Sequence, residues 1–499
     1  MFPQVQIFES EWITLALFFM VIFTFVGISE LARKKLNFSV ITTRTFVHII
    51  VGLFTLLCPF LFVSKYPPLV LAVIFVIFNF AIVTFKKLPS LHATEQKSYG
   101  TVYFPLAFLI LVLFWWERPL TFEIALLLLT FADPAAAIAG RRSRSPEYYT
   151  VWKEKKSIQG SIMFYVISIL SIGCGTIYLR QLAGLDSVNI TIFIPMLIIV
   201  SGLATIAESV SSAGSDNLTV PILSAVSYDL FLSCTDHFIV LSLLSWIILS
   251  FLFAYIVFRL KSLSRDGALG AFVMGIIIFG IGGWKFMIPM GIYFILSSLL
   301  SHFGGKKKEE EQTSLQKGRK RDIEQVYANG GIPLLITIWW FYQPTEWLYM
   351  AYLASVAATT ADTWGTEIGY LSKRLPRNII NFKQMNHGAS GGVTIIGTIA
   401  SLLGSAVIGF TAIFYIPDLT RIYFIIGAGF VASIIDSILG ATVQGIYKCS
   451  ECGKRVEKPE HCRKNAILVS GIRWINNDLV NIACTISGPI LYFLFWFQL

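Results

Sequence analysis

Asp133, Glu208 and Asp216 each stand at the edge of a long apolar run, where an ionisable side chain is costly and marks a functional position by default. Arg44, His48, Arg141 and Lys156 flank the same runs on the same side. Carboxylates beside Asn217 are hard oxygen donors, suited to Mg²⁺ held by one or two carboxylates together with substrate phosphates. Lys156, Arg141 and Arg44 can neutralise phosphate charge. Gly160 and Ser161, opening the next apolar run, can turn backbone N–H groups toward an anion. Phosphoryl transfer needs no nucleophilic side chain, because it runs on positioning and electrostatics. Asp133, Glu208 and Lys156 are therefore the expected catalytic groups, and Asp133, Asp216 and Asn217 the expected Mg²⁺ ligands.

Each residue also has a plainer reading. Asp133 precedes Pro134, a common helix-start pattern. Arg142 and Arg144 read as ordinary topology charges. His48 fits a hydrogen-bonded structural histidine. Glu208 is hardest to set aside, since a carboxylate ending an apolar span needs a partner.

The elements that must hold these groups are membrane helices. The chain has 499 residues, 55% hydrophobic and only 14% charged, with mean hydropathy +0.70. Soluble domains carry about 25% charged residues, and a span needs about 20 apolar ones. Runs of that kind fall at 12–29, 45–63, 68–85, 101–116, 121–139, 161–178, 190–207, 218–234, 236–258, 267–283, 286–303, 327–342, 345–362, 391–415, 421–445 and 479–497. The fold class is thus an all-α polytopic membrane protein of about sixteen transmembrane helices. Alternate loops hold 34 of the 39 lysines and arginines, which puts them in the cytoplasm and both termini opposite. The same rule accounts for the net charge of +10 without a nucleic-acid partner. The first span follows Glu9 and Glu11 with no basic lead-in, so no cleavable signal peptide is expected.

Landmarks recur along the chain. ADPAAAIAG at 132–140 matches ADTWGTEIG at 361–369, each with a glycine seven residues after the aspartate. KSIQGSIMF (156–164) parallels GASGGVTII (388–396), SGLATIAES (201–209) parallels AGFVASIIDS (428–437), and DNLTVP parallels NDLVNI. This order predicts a parallel 8+8 internal repeat, with domains at 1–235 and 236–499.

The N-terminal runs TTRTFVHIIVG, YGTVYFPLAF, ADPAAAIAGRR, KSIQGS and AESVSSAGSDNLTVPI resemble the phytol kinase/dolichol kinase family. That resemblance implies CTP as phosphate donor and a prenyl alcohol as acceptor. SRDGALGAFVMG, GRKRDIEQVYANGG, ADTWGTEIGYLSK, PRNI, GASGGVTIIGT, DSILGATVQ and NNDLVN resemble the family that includes phytyl-phosphate kinase, which implies conversion of a prenyl monophosphate to the diphosphate. It further implies that Asp362, Glu367, Asp436, Asn477 and Asp478 bind or support Mg²⁺, with Asp362 and Asp436 catalytic. Lys317, Arg319 and Arg321 would hold phosphates, and Thr366, Ser390 and Gly391 would line the phosphate site. Asp362 and Glu367 lie about 500° apart on a helix, so a break at Gly365 is needed to aim both at one metal.

KCSECGKRVEKPEHCRK offers Cys449, Cys452, His461 and Cys462 as soft ligands for a structural zinc. A reduced loop without metal is the competing reading. The segment is an insertion relative to the other half, so no catalytic role attaches to it. Two other functions share these features: a transporter, since carriers also have internal repeats, and a cytidylyltransferase making a CDP-lipid. Polar groups at span ends rather than midway favour an enzyme acting on a lipid head at the interface.

Overall fold

In hydrocarbon every backbone polar group must be satisfied within its own segment, which leaves the helix as the economical solution for long apolar runs. The computed structural model describes residues 2–85, 99–302, 320–462 and 464–496. The helices are α1 (Glu11–Leu36), α2 (Val40–Leu61), α3 (Tyr66–Phe85), α4 (Gly100–Trp115), α5 (Pro119–Leu127), α6 (Asp133–Arg142), α7 (Ile158–Leu182), α8 (Ile190–Ser209), α9 (Asp216–Leu232), α10 (His237–Arg259), α11 (Arg265–His302), α12 (Ile323–Tyr342), α13 (Glu346–Gly369), α14 (Ile395–Phe410), α15 (Leu419–Thr442) and α16 (Asn477–Trp496). Each apolar run expected to span overlaps one of them, except that 121–139 runs through α5, a π-helical stretch at Leu128–Ala132 and α6. Among the described residues, 11 helices are long and apolar enough to cross a membrane. The runs 267–283 and 286–303 both fall on α11, where two helical segments meet at a break at Gly283 (φ 54, ψ −148). Only glycine adopts that backbone cheaply.

The chain forms two units, Met1–Leu241 and Ser242–Leu499. In the N-terminal unit α4 lies beside α3 and α9, while α5 and α6 pack on α7. In the C-terminal unit α12 lies beside α11 and α16, while α13 packs on α14, α15 and α16. From Leu348 to Ala361 every residue of α13 is buried. A helix enclosed on all sides must be apolar all round, and its alanines, serines and threonines let neighbours approach closely. Gly488 faces the Ala354 carbonyl and Gly429 faces Ala357, where an added Cβ would collide.

Five cations lie outside the basic loops, and the structure gives several of them partners. Asp229, buried in α9, accepts from Trp115 Nε1 at 3.0 Å, from Arg118 at 3.4 Å and from Thr121. Arg421 pairs with Glu346 at 2.5 Å and Asp418 at 3.1 Å. Lys285 Nζ lies 4.1 Å from the Tyr349 ring centroid. Asp229 is thus a satisfied buried charge at the end of the N-terminal unit opposite Asp133. Removing Asp229 frees a half-exposed Arg118 to water but takes this acceptor from the buried Trp115 and Thr121 donors, at about 1–3 kcal/mol each. Asp229→Leu is therefore expected to lower the thermal midpoint in detergent by several degrees more than Arg421→Ala, a difference that differential scanning fluorimetry reads directly.

Candidate active sites

The helix that begins at Pro119 does not run regularly into Asp133. Residues Leu128–Ala132 are π-helical. Pro134 lacks the N–H that would bond the Thr130 carbonyl, and its ring crowds the preceding turn; a π-bulge relieves both. His48 Nε2 bonds the Leu129 carbonyl at 2.8 Å and stands 3.8 Å from Asp133 Oδ2. One turn on, Gly52 leaves room for Thr130, whose Oγ1 would lie 2.4 Å from an added Cβ.

Lys156 ends a short hairpin of β1 (Tyr148–Thr150) and β2 (Lys155–Ser157). Its Nζ lies 2.8 Å from Glu208 Oε1 and 3.3 Å from Asp216 Oδ2. Asp133 is within electrostatic reach of Asp216, His48, Lys156 and Arg44. Burial works against the Lys156 ammonium, but Asp216 and Glu208 more than offset it and hold its proton above the usual lysine range. Ser211 Oγ, which sequence reading missed, donates to the Glu208 carbonyl at 2.6 Å and also lies 3.2 Å from Asp216 Oδ2. Glu154, also missed, accepts from the Ala213 N–H at 2.6 Å and ties the hairpin to the turn between α8 and α9. Glu208 Oε2 and Asn217 Oδ1 are buried without a donor among the described residues. Orphaned carboxylate and amide oxygens beside Asp216 suit a hard divalent cation.

Gly160 does not present its N–H to an anion. That N–H donates to Ser157 Oγ at 3.1 Å, capping α7, and Ser161 Oγ bonds Tyr149 at 2.6 Å. The glycine is there for proximity: a Cβ on Gly160 would meet the Ala136 carbonyl, and one on Gly140 would meet Ser157 Oγ at 2.4 Å. Arg141 is exposed and its Nε donates to the Ala137 carbonyl at 2.7 Å.

The C-terminal unit repeats this frame in different residues. The strands β3 (Arg377–Asn378) and β4 (Gly392–Val393) pair and lead into α14. Thr394 caps α14 by accepting from Gly397 N at 3.0 Å. A Cβ on Gly397 would meet the Gly365 carbonyl, and one on Gly369 would meet Thr394 Oγ1. The glycine seven residues after each aspartate therefore packs on the next helix's cap. Gly160 thus corresponds to Gly397, and not to the glycines at 391–392 that the sequence comparison paired with it. Gly391 (φ +77) instead packs on Ala441 of α15. Val393 stands where the other unit has Lys156.

A cavity of about 130 Å³ opens here, lined among others by Asp362, Thr366, Ser390, Gly391, Asp436 and Asn477. The carboxyl groups of Asp362 and Asp436 lie within hydrogen-bonding reach of each other, and Asp436 Oδ2 is buried without a donor among the described residues. Such a pair also suits a divalent cation. Ser390 donates to Glu457, a residue that sequence reading missed; burial pushes the Glu457 carboxyl up to about 7. Asp478 is buried in the first turn of α16.

Three expectations for this unit change. Glu367 is within electrostatic reach of Asp362, but α13 runs unbroken through Gly365, the two positions lie about 140° apart around the helix, and Glu367 accepts from Ser301 on α11 at 2.8 Å rather than lining the cavity that holds Asp362. Arg321 lines a different, mostly apolar cavity of about 50 Å³ with Met274, Phe279 and Asn329, and its guanidinium lies 6.0 Å from the Tyr293 ring. Lys317 and Arg319 lie outside the described residues.

The N-terminal unit holds a larger apolar cavity, about 260 Å³, between α1, α2, α3 and α4. Phe23, Phe75, Phe78, Phe104 and Phe108 line it, and Arg44, His48 and Asn217 form its polar end. The apolar cavity and the charged cluster therefore meet at Asn217.

Residues 248–489 match the model of the family described as integral membrane protein DUF92. An uncharacterized membrane protein of Methanocaldococcus jannaschii is 31% identical over 219 residues, 44% of this chain and 87% of that protein. A phytol kinase of Synechocystis is 32% identical over 145 residues, 28% of this chain and 57% of the relative. The chloroplastic protein VTE6 of Arabidopsis thaliana is 21% identical over 237 residues, 46% of this chain and 64% of the relative. No solved structure matches. The extent of the first of these likenesses, together with the helical C-terminal unit just described, shows that the chain belongs to the DUF92 family of integral membrane proteins.

Proposed function

We propose that the protein is a membrane prenyl-lipid kinase whose N-terminal unit converts a prenyl alcohol to its monophosphate and whose C-terminal unit converts the monophosphate to the diphosphate. The observation that carries the reading is the N-terminal apolar cavity ending at Arg44, His48 and Asn217, beside Lys156, Glu208 and Asp216. An isoprenoid tail fits such a space, and its hydroxyl arrives where phosphate charge can be neutralised. The named relative that is a phytol kinase supports the substrate class.

In the first step the alcohol oxygen forms a bond to the terminal phosphorus of a nucleoside triphosphate, here CTP, and the bond to the leaving nucleoside diphosphate breaks. Asp133 is placed to take the hydroxyl proton, and His48 holds the bulge that aims it. Lys156 and Arg44 neutralise charge on the transferring group. Mg²⁺, when bound by Asp133, Asp216 and Asn217, supplies charge neutralisation across the nucleotide phosphates. In the second step Asp362 and Asp436, with Asn477 and Asp478 nearby, fill the metal-binding role. Thr366 stands at the cavity wall as a donor to phosphate, while Ser390, whose hydroxyl proton goes to Glu457, holds the glycine segment beside it. The basic loops support placing both sites on the cytoplasmic face with both termini opposite, which spares the charged intermediate a crossing of the bilayer.

Three outcomes follow. Asp133→Asn is expected to cut conversion of alcohol to monophosphate by about 10³-fold, the scale of losing a catalytic acid–base group, while a supplied monophosphate is still converted. Asp362→Asn should do the reverse, so that monophosphate accumulates; loss of both steps in either folded variant would refute two separate sites. Val51→Trp, which fills the apolar cavity, should raise KM for a long prenol about tenfold, roughly 1.4 kcal/mol of tail binding, and leave the second step unchanged.

A further inference from the structure

The inserted loop between α15 and α16 is more than a surface appendage. Its strands are β5 (Ile446–Lys448), β6 (Arg455–Val456), β7 (Glu460–His461), β8 (Lys464–Asn465) and β9 (Ile467–Ser470). Ribbons this short do not hold together on their own. The loop nevertheless brings together one ligand atom each from Cys449, Cys452, His461 and Cys462, all within 4.8 Å of one another. Cys452 Sγ lies 3.5 Å and Cys462 Sγ 3.2 Å from His461 Nδ1. Tetrahedral zinc with bonds of about 2.0–2.3 Å sets its ligand atoms roughly 3.5 Å apart.

The backbone is shaped for this. Gly453 (φ +69) turns the first lobe back so that its N–H donates to the Cys449 carbonyl at 3.1 Å, while Cys449 N–H donates to the Lys454 carbonyl at 2.9 Å. Cys462 adopts φ 53, a left-handed conformation costing a non-glycine residue about 1 kcal/mol or more. That turn brings the adjacent His461 and Cys462 onto one point, which resolves the awkward adjacency of the two ligands in the sequence.

Between the lobes runs the segment that carries Glu457. Val456 beside it is buried and pairs with Tyr447. Glu457 accepts from Ser390 and stands beside Gln444. Both of these residues line the cavity that holds Asp362 and Asp436. Asp478 is within electrostatic reach of Glu457.

We propose that Cys449, Cys452, His461 and Cys462 bind one zinc ion, and that this zinc clamps the loop so that Glu457 fixes Ser390 and the glycine segment at the wall of the C-terminal cavity. Glu457 is a positioning residue, acting through Ser390. The positioning half of this inference rests on the phosphotransferase reading; the zinc half does not.

The test begins with the purified full-length chain analysed by inductively coupled plasma mass spectrometry. About one zinc per chain and no iron is expected, falling at least about fivefold in Cys452→Ser/Cys462→Ser. Trypsin should then cut that variant at Lys454 and Arg455, sites the parent protects. Glu457→Ala should keep its zinc yet raise KM for prenyl monophosphate about tenfold with kcat little changed, the pattern of lost binding. Glu457→Gln, which still accepts from Ser390, should restore KM. Zinc below about a tenth per chain, iron in its place, or a Cys452–Cys462 disulfide would overturn the metal site. Full zinc with unaltered KM in Glu457→Ala would overturn the positioning role. Failure of the parent to convert monophosphate, with zinc still stoichiometric, would count against the kinase reading and leave the zinc site standing.

Discussion

A carboxylate at the end of an apolar helix is tolerable only if a charge or a set of donors meets it there. In the N-terminal unit that requirement is met at Lys156, held between Glu208 and Asp216 and within reach of Asp133. Much of the local architecture follows from bringing one ammonium to that point. The hairpin carries Lys156, Glu154 ties the hairpin to the α8–α9 turn, and Ser157 caps α7 immediately afterwards. Gly140 and Gly160 keep α6 and α7 close enough for the cap to seat. The π-bulge and His48 then set where Asp133 points.

The C-terminal unit keeps the frame and drops the lysine. Thr394, Gly365, Gly369 and Gly397 recreate the helix–cap contact, but Val393 occupies the cationic position. Asp362 and Asp436 lie within hydrogen-bonding reach of each other, and no lysine among the described residues lines their cavity. Under the proposed reading the balancing positive charge is that of the metal ion held by the two carboxylates.

The helices were legible in the sequence because hydrophobic runs of span length have few other folds open to them. The pairing of Lys156 with Glu208 and Asp216 was legible in kind, since buried charge demands a partner, although not as a geometry. Motif proximity says nothing about helix phase, so the sequence does not show that Glu367, although within electrostatic reach of Asp362, bonds Ser301 on α11. Gly160 was given a phosphate-binding role because a glycine at a helix start has two uses, anion approach and close packing, and only coordinates separate them. Ser211, Glu154 and Glu457 lie in loops, where neither period nor composition signals a long-range contact. Glu457 was the hardest to find, sitting inside a segment that looks like an insertion of no consequence to the site.

The account stands or falls on which phosphorus reaches the lipid. Purified full-length protein would be supplied with a prenyl alcohol, Mg²⁺ and CTP labelled in parallel at the α or the γ phosphorus, and the lipid products separated. Transfer of the γ label alone, first to a singly and then to a doubly phosphorylated lipid, is the predicted result. Appearance of the α label in the lipid would mean a CDP-linked product, and no lipid labelling from either CTP or ATP would mean that the cavities serve another purpose.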